Sequence, residues 1–175
     1  FVVVYISFMG YAGDRVTAWL HPELDPGDTG YQILQSLYAI GSGGLFGLGY
    51  GKSRQKYLYL PFQYNDYIFA VICEELGLVG AMAIVALFAV TILRGYWIAL
   101  NARDRFSTVL AAGLVTLIAV QTILNLCVVT NLLPSTGIAL PFFSYGGTAL
   151  AVNLGEMGIV LGVSRGRNRR KIQEA

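Results

Sequence analysis

Long uncharged apolar stretches alternate along the chain with short polar connectors. Residues 106–155 contain no Asp, Glu, Lys or Arg, and a second uncharged apolar run covers residues 76–93. A helix that crosses the hydrocarbon core of a bilayer needs about 20 predominantly apolar residues. The longer run therefore predicts two spans with a connector, and the shorter run predicts one. We expect an all-α fold, a polytopic bundle of transmembrane helices.

Four stretches are apolar enough to contribute to spans: residues 1–10, 67–93 with an extension to 100, 108–130 and 148–163. The first is too short to cross a bilayer that needs about 20 residues, and it begins without Met or a basic segment. We interpret it as the end of a truncated span. Residues 1–175 are then expected to form a single integral-membrane domain, the C-terminal part of a longer protein.

Composition excludes several classes of protein. Hydrophobic residues make up 55% of the chain and charged residues 13%, whereas soluble domains carry about 25% charged residues. A soluble enzyme, a disordered chain and a nucleic-acid-binding module are all excluded. Cys73 and Cys127 lie in apolar segments without a metal-ligand spacing, so we expect inert thiols and no metal site among the side chains.

The distribution of Lys and Arg predicts the orientation in the membrane. Eight basic residues flank the turn near residue 103 or lie in the C-terminal tail: Arg94, Arg103, Arg105, Arg165, Arg167, Arg169, Arg170 and Lys171. By the positive-inside rule this side is cytoplasmic, including the tail of residues 164–175. The loop of residues 11–66 and the proline-broken connector of residues 134–147 are then extracytoplasmic, and the connector is expected to be re-entrant and to frame an outward cavity.

The large loop is expected to contain an amphipathic helix at the outer membrane interface. A start at Asp28 and Thr29 would place Ile33, Leu34, Leu37 and Ile40 in one apolar stripe, with Gln32, Gln35 and Ser36 on another face. The Gly-rich residues 41–51 then end the helix. We interpret them as backbone packed closely against lipid or helices, because a Gly-rich string with no preceding strand is weak evidence for a nucleotide site.

Three cations and one carboxylate follow this helix. Lys52, Arg54 and Lys56 come ten residues or more before Asp66, at the junction with the next span. The cations could hold a pyrophosphate while the carboxylate acts as a base. A carboxylate in this position is equally well explained as a helix cap.

The spans themselves contain three further acids. Adjacent helical residues point about 100° apart, so Glu74 and Glu75 cannot share a proton. Carboxylates in lipid are usually paired or functional, and we favour a structural polar contact for both, with substrate contact second. Glu156, with Asn153 one turn earlier, is weak evidence for a proton relay.

Several motifs in order resemble one family. These are DTGYQILQS (28–36), SRQK (53–56), DYIF (66–69), EELG (74–77) and, after Asn125, LPSTGIALPFFSYGG (133–147). Together they resemble the C-terminal half of the SEDS family (FtsW, RodA and SpoVE), the bacterial peptidoglycan polymerases. LYLP (58–61) is more similar to FtsW and SpoVE than to RodA, and Asn131 stands where Gly is usual in the family.

The resemblance implies an inverting glycosyltransferase that polymerises lipid II at the outer face of the bacterial cytoplasmic membrane, in division, cell shape or sporulation. The family's essential carboxylate maps onto Asp66. Candidate substrate-binding residues are Lys52, Arg54, Gln55, Lys56, Gln32, Ser36, Glu74 and Ser144. The resemblance also implies a class B penicillin-binding protein as partner. A requirement for a divalent cation, Mg²⁺ or Mn²⁺, stays open.

Two other functions fit the same pattern. A lipid II flippase or transporter would use Glu74, Glu75 and Glu156 along an outward cavity, and a non-catalytic scaffold would only position a transpeptidase. Replacing Asp66 separates them, because only the polymerase needs that carboxylate for chemistry.

Overall fold

The fold consists of helices joined by short irregular segments. The computed structural model describes residues 10–24, 29–53 and 66–173, and all regular structure in these ranges is helical. The helices are α1 (Gly10–Leu20), α2 (Thr29–Ser42), α3 (Ile68–Leu100), α4 (Arg105–Val129) and α5 (Gly147–Gln173), with a 3-10 turn at Pro22–Leu24. The expected all-α class is confirmed.

Three of the described helices are long and apolar enough to cross a membrane: Ile68–Leu100, Arg105–Val129 and the Gly147–Gly166 part of α5. They confirm the second, third and fourth predicted spans to within a few residues at each end. Leu87, Leu93 and Val109 are among the large apolar side chains that these helices expose, as expected for side chains that face lipid. The first predicted span, residues 1–10, lies outside the described residues except for Gly10.

Helix α1 was not indicated by the hydrophobic pattern, which assigns its residues to the loop. It is only 11 residues long, and isolated helices of that length are marginal in water. Tertiary contacts hold it: Ala18 is buried, and the indole N–H of Trp19 donates to the carbonyl of Asn131 at 3.0 Å. Packing therefore decides the conformation of this segment.

Helix α2 confirms the helix expected after Asp28 and Thr29, but the predicted stripe is only partly buried. Its buried residues are Gly30, Ile33, Ser36 and Ala39, whereas Leu37 of the expected stripe is exposed. Ser36, expected on the polar face, therefore lies on the packed face. Small side chains on this face allow neighbouring backbone to approach closely. The Ser36 hydroxyl, for example, donates to the Val129 carbonyl at the end of α4, at 3.3 Å.

Helix α3 is broken at Gly77, which has φ of 67° and ψ of −169°. The break separates the Glu74 and Glu75 carbonyls from their usual helical donors, and the glycine loop (residues 43–51) replaces them. Leu48 N donates to Glu74 O at 2.9 Å and Gly49 N to Glu75 O at 3.0 Å. In return, the N–H groups of the next turn of α3 donate to the loop: Leu78 N to Gly44 O at 2.9 Å and Val79 N to Leu45 O at 3.2 Å.

This exchange satisfies backbone groups that a membrane protein cannot leave unpaired, because an orphaned N–H or C=O in hydrocarbon costs several kcal/mol. The close approach also requires glycine. A Cβ added to Gly43 would collide with the Cys73 carbonyl, and one added to Gly47 would collide with the Glu75 carbonyl. The expected close packing of the Gly-rich backbone is therefore confirmed, and its partner is the helix α3.

The chain divides into two compact units. The first contains the described residues up to Ala81 together with Leu124–Ala139, and the second contains Met82–Ile123 and the residues from Leu140 onward. In the second unit a core of small side chains joins α3, α4 and α5: Ala99, Ala111, Val115 and Val160. Gly95 lies against Val115 there, as expected where small residues let membrane helices approach.

Candidate active site

Asp66 lies in the first unit, in the turn that leads into α3. Its side chain is half-buried, and the next residue, Tyr67, is 3% exposed. The helix begins two residues later, at Ile68. The carboxyl group is thus held beside a rigid element rather than on a free loop.

A buried amide on α4 fixes the backbone at this point. The Nδ2 group of Asn125 donates to the Asp66 carbonyl at 2.8 Å and to the Ile138 carbonyl at 2.8 Å. Asn125 is 1% exposed. It therefore links the turn that carries Asp66 to the signature segment, defined here as residues 135–138.

The signature segment lies against the Asp66 carboxyl group. Gly137 has φ of 69°, and a Cβ built on it would lie 3.7 Å from Asp66 Oδ2. From α1, Arg15 Nη1 donates to the Ser135 carbonyl at 2.9 Å. Three separate parts of the sequence thus meet at Asp66: α1, the start of α3 and the segment after α4.

Burial and a nearby positive charge shift the pKa of the Asp66 carboxyl group in opposite directions. Burial raises the pKa of Asp66 above its ordinary value, and the positive charge of Arg15 lowers it by a smaller amount. Burial also raises the pKa of the Tyr67 hydroxyl. An aspartate with a raised pKa is a stronger base than an exposed one, which is the property that a general base requires.

The cations that the sequence suggested are only partly described. Lys52 is exposed at the end of the glycine loop, where its N–H donates to the Gly49 carbonyl at 3.1 Å. Arg54, Gln55 and Lys56 lie outside the described residues. In the described part of the chain, Arg15 is the cation whose charge acts on Asp66.

The other candidate residues differ in their surroundings. Gln32 is half-buried on α2. Ser36 is fully buried, and its hydroxyl donates to the Ile33 carbonyl at 2.8 Å as well as to Val129 O, which favours a structural role. Glu74 is buried and accepts a hydrogen bond from the Ser53 hydroxyl, the kind of polar contact favoured for it above.

Ser144 belongs to the second unit. Its hydroxyl oxygen accepts a hydrogen bond from Leu140 N at 2.7 Å, in the turn that precedes α5. The remaining acids of the spans are also buried. One carboxyl oxygen of Glu75 and one of Glu156 have no hydrogen-bond partner in the described ranges.

The sequence indicated Asp66 but missed the surrounding groups. Arg15 lies in the segment assigned above to the long loop of residues 11–66, since its helix was not predicted. Asn125 and Gly137 were noticed as parts of motifs, but their contacts with Asp66 join residues far apart in sequence. The available signal for Arg15 was an Arg beside Asp14 in an otherwise apolar segment close to a predicted span.

The donor set gives little support for a metal held by side chains alone. Within residues 10–24, 29–53 and 66–173, no three His, Cys, Asp or Glu side chains lie together as a metal site requires. Asp66 is a single carboxylate under the influence of a guanidinium. A Mg²⁺ ion there would have to take most of its ligands from water or from a bound molecule.

Comparison with known proteins identifies the family. Residues 1–169 match the FtsW/RodA/SpoVE family model, described as cell cycle protein. Stage V sporulation protein E of Bacillus subtilis is 50% identical over 155 residues, which cover 89% of this chain and 42% of that protein. The probable peptidoglycan glycosyltransferase FtsW of Geobacter metallireducens is 46% identical over 164 residues, covering 94% and 44%.

Two solved structures agree in fold. A chain of a peptidoglycan synthase complex matches with a TM-score of 0.76 and 29% identity, covering 95% of this chain and 45% of the other. The rod shape determining protein RodA of Thermus thermophilus, solved as a mutant with one aspartate replaced by alanine, matches with a TM-score of 0.60 and 32% identity, covering 75% and 40%. The chain thus spans less than half the length of the relatives described here. On the family model, the relatives and the fold together, it belongs to the FtsW/RodA/SpoVE family of membrane proteins.

Proposed function

We propose that this chain carries the catalytic base of a peptidoglycan glycosyltransferase that polymerises lipid II. The observation that carries the proposal is the half-buried Asp66 carboxyl group, with its raised pKa, between Arg15 and the signature segment. Relatives 45% and 46% identical to the chain are named as probable peptidoglycan glycosyltransferases, which supports the same reaction here.

In the proposed reaction Asp66 accepts the proton of the 4-hydroxyl group on the acceptor's GlcNAc. That oxygen forms a bond to C1 of the donor's MurNAc while the bond from C1 to the pyrophosphate oxygen breaks. The bonding electrons leave with undecaprenyl pyrophosphate. Attack from the face opposite the leaving group inverts the configuration at C1, as in inverting glycosidases. General-base assistance of this kind contributes roughly 10²- to 10⁴-fold in rate.

Cations have two roles in this proposal. Arg15 limits the rise in the pKa of Asp66 that burial causes, which favours the ionised form of the carboxylate that accepts the proton. Lys52, with Arg54 and Lys56, would offset the charge that develops on the pyrophosphate. Gln32 and Gln55 remain candidates for hydrogen bonds to the sugars.

The reaction is proposed for the outer face of the cytoplasmic membrane, with the C-terminus in the cytoplasm. The excess of Lys and Arg in the turn between α3 and α4 and in the tail supports this orientation. A class B penicillin-binding protein is the proposed partner. The match to a chain of a peptidoglycan synthase complex supports it.

The proposed reaction contains no step on a metal ion. If Mg²⁺ or Mn²⁺ is required, Asp66 and the lipid phosphates would hold it, and the ion would neutralise charge on the leaving group. The roles of Asp66 and Arg15 toward the hydroxyl proton follow from their own positions.

The proposal is tested in liposomes that contain the full-length protein and labelled lipid II. Polymerisation and transbilayer movement of lipid II are measured in parallel, for the wild type and for Asp66→Ala. A polymerase makes glycan strands and loses this activity in Asp66→Ala. Strand formation that continues at the wild-type rate in the variant would refute the assignment of Asp66.

A transporter is the second candidate, and one observation favours it. Glu75 and Glu156 are buried, and each has a carboxyl oxygen without a partner in the described ranges, as in proton pathways of membrane proteins. Lipid II movement that is lost in Glu75→Gln or Glu156→Gln, without strand formation by the wild type, would support the transporter. Cell-wall growth that tolerates replacement of Asp66 would support a scaffold.

A further inference from the structure

A fully buried amide joins the proposed base to the segment that faces it. We propose that Asn125 is a positioning residue for the glycosyl transfer, acting through Asp66 by holding its backbone in register with the signature segment. This inference rests on the proposed function. It concerns a residue that touches neither the carboxyl group nor the expected substrate.

The geometry uses both donors of one amide. A carboxamide nitrogen carries two N–H groups, and Asn125 spends one on the Asp66 carbonyl and one on the Ile138 carbonyl, both at 2.8 Å. The two acceptors belong to chain segments on either side of α4 in sequence. Asn125 therefore acts as a clamp between them.

The clamp lies next to the reacting group. A Cβ built on Gly137, the neighbour of Ile138, would lie 3.7 Å from Asp66 Oδ2. A shift of either carbonyl changes the position of the carboxylate relative to the signature segment. Misplacement of a catalytic group by about 1 Å can cost on the order of 100-fold in rate.

Asn125 differs in its hydrogen-bond partners from Thr122, another buried polar residue of α4. Thr122, 3% exposed, donates its hydroxyl hydrogen to the Ile118 carbonyl of its own helix at 2.8 Å. That bond satisfies the hydroxyl locally. The two Asn125 donors go to segments outside α4, so their loss should affect the relation between those segments.

The variants are Asn125→Leu, which removes both donors at similar volume, and Asn125→Gln, which keeps the amide on a longer side chain. Thr122→Val is the matched control, since it removes a buried polar group without touching Asp66. Each is made in the full-length protein and compared with the wild type and Asp66→Asn. The readouts are kcat and KM for lipid II and the unfolding temperature.

We expect Asn125→Leu to lower kcat by roughly 100-fold while KM stays within about threefold, since the contacts that bind lipid II are elsewhere. The kcat of Asn125→Gln should be at least about tenfold higher than that of Asn125→Leu. Thr122→Val should have a kcat near the wild-type value. If Asn125→Leu does not fold, Asn125→Gln decides: a lower kcat with unchanged KM and unfolding temperature supports the proposal.

A kcat of folded Asn125→Leu within about threefold of the wild type would overturn the inference, as would a loss of activity in Asn125→Gln that only follows a loss of folded protein. A wild-type kcat in Asp66→Asn would instead overturn the proposed function. The two failures are therefore distinguished in one set of measurements.

Discussion

At the scale of single residues, Asp66 combines a functional advantage with a cost in stability. Its pKa is raised in the folded protein, so ionisation is harder there than in the unfolded chain. The ionised carboxylate therefore destabilises the fold at pH values above its folded pKa, and this cost disappears as the pH falls below its unfolded value. Strain or unfavourable burial of this kind is common at active sites.

Arg15 should control the pH dependence of activity. Removing its charge in Arg15→Gln leaves the effect of burial unopposed, so the pKa of Asp66 rises further. Since the base must be deprotonated, the acid limb of the kcat/KM profile should move to higher pH, with the largest loss of rate at low pH. Tyr67 is the other titratable group beside Asp66, and its hydroxyl ionises only in the alkaline range.

Arg15→Lys is the matched control, because it keeps the positive charge while changing the hydrogen bond to Ser135. Its acid limb should stay near that of the wild type. An unchanged acid limb in Arg15→Gln would show that the guanidinium does not act on the carboxylate as described.

The sequence indicated Asp66 both by its place after three cations at the start of a span and by its family motif, but the environment of its carboxyl group was not predictable. The contact of Arg15 with Ser135 joins residues 120 positions apart, and that of Asn125 with Asp66 joins residues 59 positions apart. Hydrophobic periodicity carries no information on such pairs. They depend on how helices pack after they have formed.

At the scale of elements, the break in α3 and the glycine loop form one unit of backbone pairing. A glycine inside an apolar run is common and predicts little by itself, so the sequence did not reveal the break at Gly77.

The structure explains why Asn131 can stand where Gly is usual in the family. Asn131 has φ of 58°, a left-handed conformation that Gly adopts freely and Asn tolerates better than most residues.

Two neighbouring glycines allow a controlled test of the close packing. A Cβ on Gly43 would collide with the Cys73 carbonyl, whereas a Cβ on Gly41 would meet nothing within 4 Å. Gly43→Ala should therefore destabilise the protein by about 1–3 kcal/mol. Gly41→Ala, in α2, should be neutral or stabilising by up to about 1 kcal/mol. The unfolding temperature in detergent, measured for both variants, checks this.

Equal unfolding temperatures for Gly43→Ala and Gly41→Ala would contradict the packing of the glycine loop against α3. A matched fall in both would point to a general need for glycine in this region rather than to the specific contact with Cys73.

At the scale of the whole molecule, the spans were the most predictable feature, since length and hydropathy alone identify a helix that can cross a bilayer. All three described spans coincide with predicted apolar runs. The helix α1 and the inward face of α2 were not predicted, because they depend on contacts with the segment after α4 and with the last residue of α4, respectively. Function was accessible through motifs, whose order along the chain is specific even where each motif is short.

Membrane orientation can be tested by labelling of single cysteines. In a background with Cys73→Ala and Cys127→Ala, Tyr50→Cys in the glycine loop should react with an impermeant maleimide in intact cells. Asn101→Cys, in the turn between α3 and α4, should react only after permeabilisation. Tyr50 and Asn101 are both exposed, so access depends on the side of the membrane. The reverse labelling pattern would contradict the proposed orientation.

The most direct test of the central claim is the rate of glycan strand formation by the purified full-length protein with Asp66→Asn, measured together with its unfolding temperature. Asp104→Asn is the control: Asp104 is exposed and accepts hydrogen bonds from the N–H and hydroxyl of Ser107 at the start of α4, and Asn caps helices equally well. We predict that Asp66→Asn lowers the rate by roughly 10²- to 10⁴-fold, with an unfolding temperature at neutral pH at least as high as that of the wild type, while Asp104→Asn keeps the wild-type rate. A wild-type rate in Asp66→Asn would contradict the claim that Asp66 is the base.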